Sequence, residues 1–190
     1  GFSWIELDVV ITKDGIIVCS HNYDLERETN GKGWINEFNL AELDYVRTGI
    51  YTHPENIKKL TTLKKVLRSM PDSVGFNFEI KILRLFDFST IRPLMDLIKE
   101  EKIEKYIVSS FNPFIIAILN IFYPFVKTGF LIEERKYLWL THWIHPNYLH
   151  PRADMVDDDL INMTIERNID ISVWTVNNQK GIQWCKNNNI

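Results

Sequence analysis

Three acids and a histidine stand out in this chain for their spacing. In WIELDVVI, Trp4 to Ile11, side chains alternate as they do along a strand. Ile5, Leu7, Val9 and Ile11 fall on one face; Trp4, Glu6, Asp8 and Val10 fall on the other, because the strand period is two. Glu6 and Asp8 therefore point the same way, roughly 6.5–7 Å apart. Inside an apolar run such a pair is costly unless a cation neutralises it. Lys13-Asp14-Gly15 reads as a tight turn. The apolar run Ile16 to Cys19 then returns the chain to Ser20-His21, so a titratable imidazole comes back towards the carboxylates.

A second alternating strand, VGFNFEIKI from Val74 to Ile82, puts Asn77, Glu79 and Lys81 on one face and Phe76, Phe78 and Ile80 on the other. In a parallel barrel the carboxyl ends of the strands gather at one mouth, where functional side chains sit. Glu6, Asp8 and Glu79 converging there would hold a hard divalent ion, Mg²⁺ or Ca²⁺, rather than zinc. Lys81 can pair with Glu79 or meet the charge of an anionic substrate; beside a metal site it suits phosphate. His21 is the acid/base candidate, a role worth a factor of about 10²–10⁴ in rate. Trp174 shares a face with Ser172 and reads equally as a core aromatic or as an apolar wall against a substrate's carbon skeleton. His142, His145 and His150 lack the i, i+4 pairing of a zinc helix and read as surface or packing residues.

These residues need elements to hold them. Strands are expected at Tyr106 to Ser110, Val126 to Ile132 and Asp170 to Asn177. Helices are expected at Leu63 to Met70, Phe88 to Lys102, Asp157 to Asn168 and Gln179 to Asn189, with a short one at Leu40 to Val46. Leu138 to Leu149 is ambiguous, read as a short helix and then a strand near Trp143 to His145. The stretch from Asn22 to about Lys59 is polar and glycine-dotted, an excursion from the scaffold. Roughly six strands alternate with helices, which argues for a parallel sheet covered by helices. At 190 residues the expectation is a single domain, 1–190, with a small insertion at about 22–59.

Bulk properties exclude some partners. The composition is 45% hydrophobic and 25% charged with a formal net charge of −3, which gives no reason to expect nucleic acid. The most apolar segment, Phe111 to Val126, is interrupted by Asn112, Pro113, Asn120 and Pro124. It is shorter than the ~20 residues of a spanning helix, so a buried amphipathic helix is expected and no transmembrane segment. Two cysteines, Cys19 and Cys185, form no disulfide framework, and a cytoplasmic setting is favoured. A secreted or periplasmic one stays open, because the N-terminus reads as incomplete.

ELDVVITKDGIIVCSHNYDLERETNG is similar to the long motif of the glycerophosphodiester phosphodiesterases. LTTLKKVL, NFEIK, IVSSFNP and VWTVN follow in the family's order and span nearly the whole chain. The resemblance implies a (β/α)₈ TIM barrel, represented here by roughly six strands, with an insertion after its second strand. It implies that Glu6, Asp8 and Glu79 hold Mg²⁺ or Ca²⁺, that Lys81 contacts phosphate, that His21 is one of two acid/base histidines, and that Trp174 lies against glycerol. The reaction implied is cleavage of a small-molecule glycerophosphodiester to glycerol 3-phosphate and an alcohol. The family's opening His-Arg-Gly strand and its closing strand have no counterpart in these residues, so weak or no turnover is expected of them alone. Asn22 stands where the family has aspartate, and Glu28 where threonine is common. The competing readings are a related barrel phospholipase acting on intact lipid and a non-catalytic remnant.

Overall fold

The structure, a computed structural model, describes residues 3–188 and 190. It divides into two compact units, Gly1–Tyr106 and Ile107–Ile190.

In the first unit, β1 (Trp4–Ile11) and β2 (Ile17–Cys19) form an antiparallel hairpin with Val9 opposite Cys19 and Ile11 opposite Ile17. Its turn is the expected one: the Thr12 amide donates to the Ile16 carbonyl at 2.9 Å, and Gly15 takes φ +81°, which a side chain would resist. The excursion has a core of its own, in which Leu25, Ile35, Leu43 and Val46 pack on Val10 and Val18. Its expected helix at Leu40 to Val46 is only a 3-10 turn, Leu40–Leu43. Within it, β3 (Arg47–Thr48) pairs with β4 (Lys58–Lys59). β5 (Thr61–Thr62) then adds to β2. Thr62 caps α1 (Leu63–Leu67) by accepting from the Lys65 amide, a contact worth about 1 kcal/mol.

β6 (Gly75–Ile80) lies parallel to β1 over six register pairs, from Trp4 opposite Gly75 to Val9 opposite Ile80. Phe76, Phe78 and Ile80 are buried on its apolar face. α2 (Ile91–Glu100) buries Ile91, Leu94, Met95 and Ile98, the i, i+3, i+4, i+7 stripe of an amphipathic helix. It starts later than expected because Asp87 Oδ1 accepts from the Ser89 amide and hydroxyl, holding Asp87 to Ser89 in a turn.

The second unit runs β7 (Tyr106–Ser110), α3 (Pro113–Phe122), β8 (Thr128–Ile132), α4 (Thr141–Ile144), β9 (Tyr148–Pro151), α5 (Asp158–Glu166), β10 (Asp170–Ile171) and α6 (Gln179–Asn187). β7 to β10 pair in chain order, all parallel. Ile116, Phe130, Ile132, Ile144, Leu149, Met155, Leu160 and Ile169 form the core between strands and helices. Each contributes about 1.5–3 kcal/mol on burial. With β1 and β6, these four strands make up the six expected of the scaffold.

Three expectations need correction here. Trp143 to His145 belongs to α4 and its cap rather than to a strand, since His145 is left-handed at φ +39° and Pro146 follows; the strand comes later, at Tyr148–Pro151. The strand expected over Asp170 to Asn177 is regular only at Asp170–Ile171, with Trp174 meeting Arg152 in an isolated bridge. The apolar segment Phe111 to Val126 is buried at Asn112, Ile115, Ile116, Leu119 and Val126, while Ile121, Phe122 and Phe125 face solvent. Among the described residues, no helix is long and apolar enough to cross a membrane.

Candidate active site

Backbone register alone brings the acids together. Asp8 on β1 stands directly opposite Glu79 on β6, and Glu6 stands opposite Asn77. Parallel neighbours in register turn their side chains to the same face. One carboxylate oxygen from each of Glu6, Asp8 and Glu79 lies within 4.8 Å of the others. The ladder continues one step past β6, where the Lys81 amide donates to the Val9 carbonyl at 3.1 Å. That step aims the Lys81 ammonium at the acids: Nζ is 3.0 Å from Asp8 Oδ1 and forms a close ion pair with Glu79 Oε1. The cation that the sequence demanded of the acid pair is therefore present.

Burial and mutual repulsion load this cluster. Glu6 keeps a solvent-facing edge although protein crowds most of its surroundings, and its carboxyl is pushed up to about 7. Desolvation is the main cause, followed by the charges of Asp8 and Glu79, with Lys81 opposing. Glu79 is also raised by burial, against the pull of Lys81. Lys81 loses basicity to burial but regains more from Glu79 and Asp8, and ends above its ordinary value. The Cys19 thiol, across the hairpin from Val9, is pushed up to about 12 by burial and by the charges of Asp8 and Glu6. It is a protonated, inert neighbour at neutral pH.

The hairpin delivers His21 as its spacing predicts. The Ser20 amide donates to the Asp8 carbonyl at 3.1 Å, and the Ser20 hydroxyl to the Asn22 carbonyl at 2.7 Å. His21 is exposed, its Nδ1 is 3.8 Å from Glu28 Oε1, and it is near enough to lower the Glu79 carboxyl. Asn22 is buried, and its Oδ1 accepts at 3.5 Å from Arg27. So the carboxylate beside His21 comes from position 28 rather than 22. Sequence reasoning assigned Glu28 no role, because a contact across a seven-residue loop leaves no periodic signal. Asn77 stands opposite Glu6, on the face that the alternation of β6 predicts, and its Oδ1 is buried with no hydrogen-bond partner among the described residues.

Trp174 lies in the second unit. Its indole N–H donates to the His150 carbonyl at 2.9 Å, and its ring meets Phe111 edge-on at 5.7 Å between centroids. The three nearby histidines do not form a group. His142 and His145 are exposed, whereas burial drives His150 down to about 4, so it is a neutral packing residue at physiological pH.

Chemically, three hard oxygen donors at this separation suit a divalent ion such as Mg²⁺ or Ca²⁺, and the adjacent ammonium suits the anion that such an ion would bind.

Known proteins resemble this chain in sequence and fold. The model of the glycerophosphoryl diester phosphodiesterase family matches residues 1–190. A glycerophosphodiester phosphodiesterase of Caldanaerobacter subterraneus is 28% identical over 190 residues, covering 96% of this chain and 77% of that protein. Among solved structures, an Oleispira antarctica phosphodiesterase in complex with the product sn-glycerol-3-phosphate superposes with a TM-score of 0.87 at 22% identity, over 100% of this chain and 79% of that one. A glycerophosphodiester phosphodiesterase of Thermotoga maritima does so with a TM-score of 0.71 at 25% identity, over 96% and 77%. The fold is thus the α/β, TIM-barrel type of these enzymes.

Proposed function

The chain belongs to the glycerophosphoryl diester phosphodiesterase family and is an enzyme of that kind, and from that premise we propose that it hydrolyses small glycerophosphodiesters to sn-glycerol 3-phosphate and an alcohol in a reaction that depends on a divalent ion. The observation that carries the reading is the meeting of Glu6, Asp8 and Glu79, from two strands, around one point with Lys81 beside them. The donors fit Mg²⁺ or Ca²⁺, and a bound ion would supply Lewis-acid polarisation of the phosphoryl oxygens. Glu6, Asp8 and Glu79 would hold it.

The chain's own groups take the remaining tasks. Lys81, relieved of neutralising the acids, holds a phosphoryl oxygen and meets the charge that grows there. His21 is in a position to move a proton: water adds to phosphorus, the P–O bond to the alcohol breaks, and the departing alkoxide takes a proton. Glu28, with Oε1 3.8 Å from His21 Nδ1, would favour the protonated imidazole. Trp174 is assigned the glycerol carbon skeleton. The whole is proposed to act as one catalytic domain, in a cytoplasmic setting that suits the free thiols of Cys19 and Cys185.

The test is release of glycerol 3-phosphate from glycerophosphocholine and glycerophosphoethanolamine, with Mg²⁺, with Ca²⁺ and with chelator. We expect turnover that chelator abolishes and either ion restores. Turnover indifferent to chelator would refute the metal reading, and no ion binding by calorimetry would leave a remnant of the family. With His21 as the acid/base group proposed within residues 1–190, a version carrying the family's His-Arg-Gly strand as well is expected to turn over faster. Equal rates would refute that.

A second reading has one observation in its favour. The loop just beyond Lys81 shows Leu83, Leu85 and Phe86 at 41, 53 and 70% exposure, an apolar lip suited to an acyl chain. Faster cleavage of lysophospholipid than of its deacylated headgroup diester would support it.

A further inference from the structure

The far end of α3 is apolar where a water-facing helix is ordinarily polar. No charged residue lies between Pro113 and Phe122, and the amide of Asn120 is spent internally. Its Nδ2 donates to the carbonyls of Ile144 and, at 3.3 Å, of His145, while its Oδ1 accepts from Thr128 Oγ1 at 3.0 Å. These bonds pin the C-terminal end of α3 to that of α4 and to the start of β8. At this same end Ile121, Phe122 and Phe125 are 69, 70 and 72% exposed, and Trp143 on α4 is 78% exposed. Isolated exposed apolar residues are ordinary; large ones gathered at one end of a unit mark a contact surface.

The charged residues nearest these side chains in sequence are basic. Between Lys105 and Ala153 the sequence has Glu133 and Glu134 as its acids, and both follow β8, at the other end of that strand from Lys127. Lys127 is exposed two residues after Phe125, and His142 and His145 are exposed on either side of Trp143 and Ile144. Arg167 reaches the same place from α5, donating to Thr141 Oγ1 at 2.6 Å and meeting His142 Nε2 at 2.7 Å. The exposed acid Glu166 immediately precedes Arg167, and the exposed Asp170 follows at the start of β10.

We propose that this end of the second unit docks on an anionic phospholipid surface, with Ile121, Phe122, Phe125 and Trp143 entering the boundary between headgroups and acyl chains and Lys127 and Arg167 pairing with lipid phosphates. Phenylalanine, tryptophan and lysine side by side are what an interfacial contact uses, and the edge-on rings of Tyr123 and Phe125, 6.1 Å apart, hold the loop's aromatics together. A second copy of the chain fits less well, since a two-fold contact would set Lys127 and Arg167 against their own kind. The proposal is independent of the phosphodiesterase reading.

Flotation of the 190-residue chain with vesicles tests it, comparing phosphatidylcholine alone with a mixture holding about one-third phosphatidylglycerol. We expect partition onto the anionic vesicles at least about tenfold stronger than onto neutral ones, weakened by high salt. The double substitution Phe122→Ser with Phe125→Ser should abolish it, and Lys127→Glu should reduce it several-fold, both with unchanged thermal unfolding. Absence of anionic binding, or binding that survives the double substitution, overturns the proposal. So does a lipid-indifferent dimer, seen by sedimentation, that the double substitution dissolves, which would assign the face to a second copy.

Discussion

Two strand pairs, one in each unit, hold their functional candidates in different ways. β1 and β6 are joined over six register pairs and end in the acids and Lys81. β9 and β10 are joined over two, after which Trp174 is held by an isolated bridge and one indole hydrogen bond. The contrast follows from the interactions involved. Charges partly withdrawn from water are tolerable only if opposite charges sit within a few ångströms, so their positions have to come from a stiff backbone. An aromatic wall works through contact area, which changes slowly with position. The rigid pair should therefore be intolerant of substitution and the loose pair forgiving.

The hardest break is Glu79→Gln. It removes a proposed metal donor and the closest partner of Lys81 at the point where Asp8 and Glu79 face each other. Glycerol 3-phosphate release should fall about 10³-fold or more, and the heat of Mg²⁺ or Ca²⁺ binding should vanish while far-UV circular dichroism is kept. Retention of activity within tenfold would mean that the two strands do not form the site. His21→Ala should cost about 10²–10³-fold yet leave ion binding intact, which separates proton transfer from metal holding.

Ion binding should also depend on pH, with a sign set by Glu6. Its carboxyl moves from the ordinary 4.5 to about 7 in the fold, so between those values the folded state keeps a proton that the unfolded chain has lost. Metal-free stability therefore falls as pH rises across that window and levels off above it. An ion needs the ionised form, so its affinity should rise with pH up to about 7, by up to about tenfold per unit, and then flatten. Calorimetry in buffers of different ionisation enthalpy would reveal the released proton; a flat affinity from pH 5 to 8 would contradict the coupling.

The same contrast governs what could be read in advance. β1, the Gly15 turn, β2, β7 and the carboxylate face were legible because each depends on local alternation or a single turn residue, and Asp8 opposite Glu79 follows once two such strands are parallel neighbours. The second unit obeys longer-range terms. The sequence around Trp143 alternates well enough for a strand, but Asn120 on α3 takes the carbonyls of Ile144 and His145 and holds that stretch as a helix end. Ser172 and Trp174 still donate to the Leu149 and Pro151 carbonyls, but β10 ends early because Pro151 of β9 has no N–H to return the bond, a partnership invisible in DISVWTVN. Glu28 reaches His21 through loop geometry, and loops carry no period.

Glycine sharpens the comparison at lower energy. A Cβ on Gly129 would lie 2.7 Å from His150 Nε2 and 3.0 Å from Ser109 Cβ, both on buried residues of neighbouring strands. Gly129→Ala should cost about 1–3 kcal/mol, read by urea unfolding. A Cβ on Gly75 would also come within 2.7 Å of a neighbour, the Trp4 ring, but that ring is 41% exposed and can swing aside. Gly75→Ala should cost less than Gly129→Ala, so the rigid pair has its compliant spot at the edge away from the acids. The reverse order would show that the Trp4 ring is held in place and cannot yield to a Cβ on Gly75.

The smallest expected effect is at Trp174. Trp174→Phe keeps a ring against Phe111 but loses the indole bond to the His150 carbonyl. One neutral hydrogen bond is worth about 0.5–1.5 kcal/mol, so stability should drop within that range. If the ring contributes only a wall for the glycerol skeleton, KM should rise a few-fold with kcat nearly unchanged, the pattern of binding lost equally from ground and transition states. A fall in kcat comparable to that of His21→Ala would show that position 174 is set as strictly as the carboxylates, and that its sparse backbone pairing is no measure of the precision its task requires.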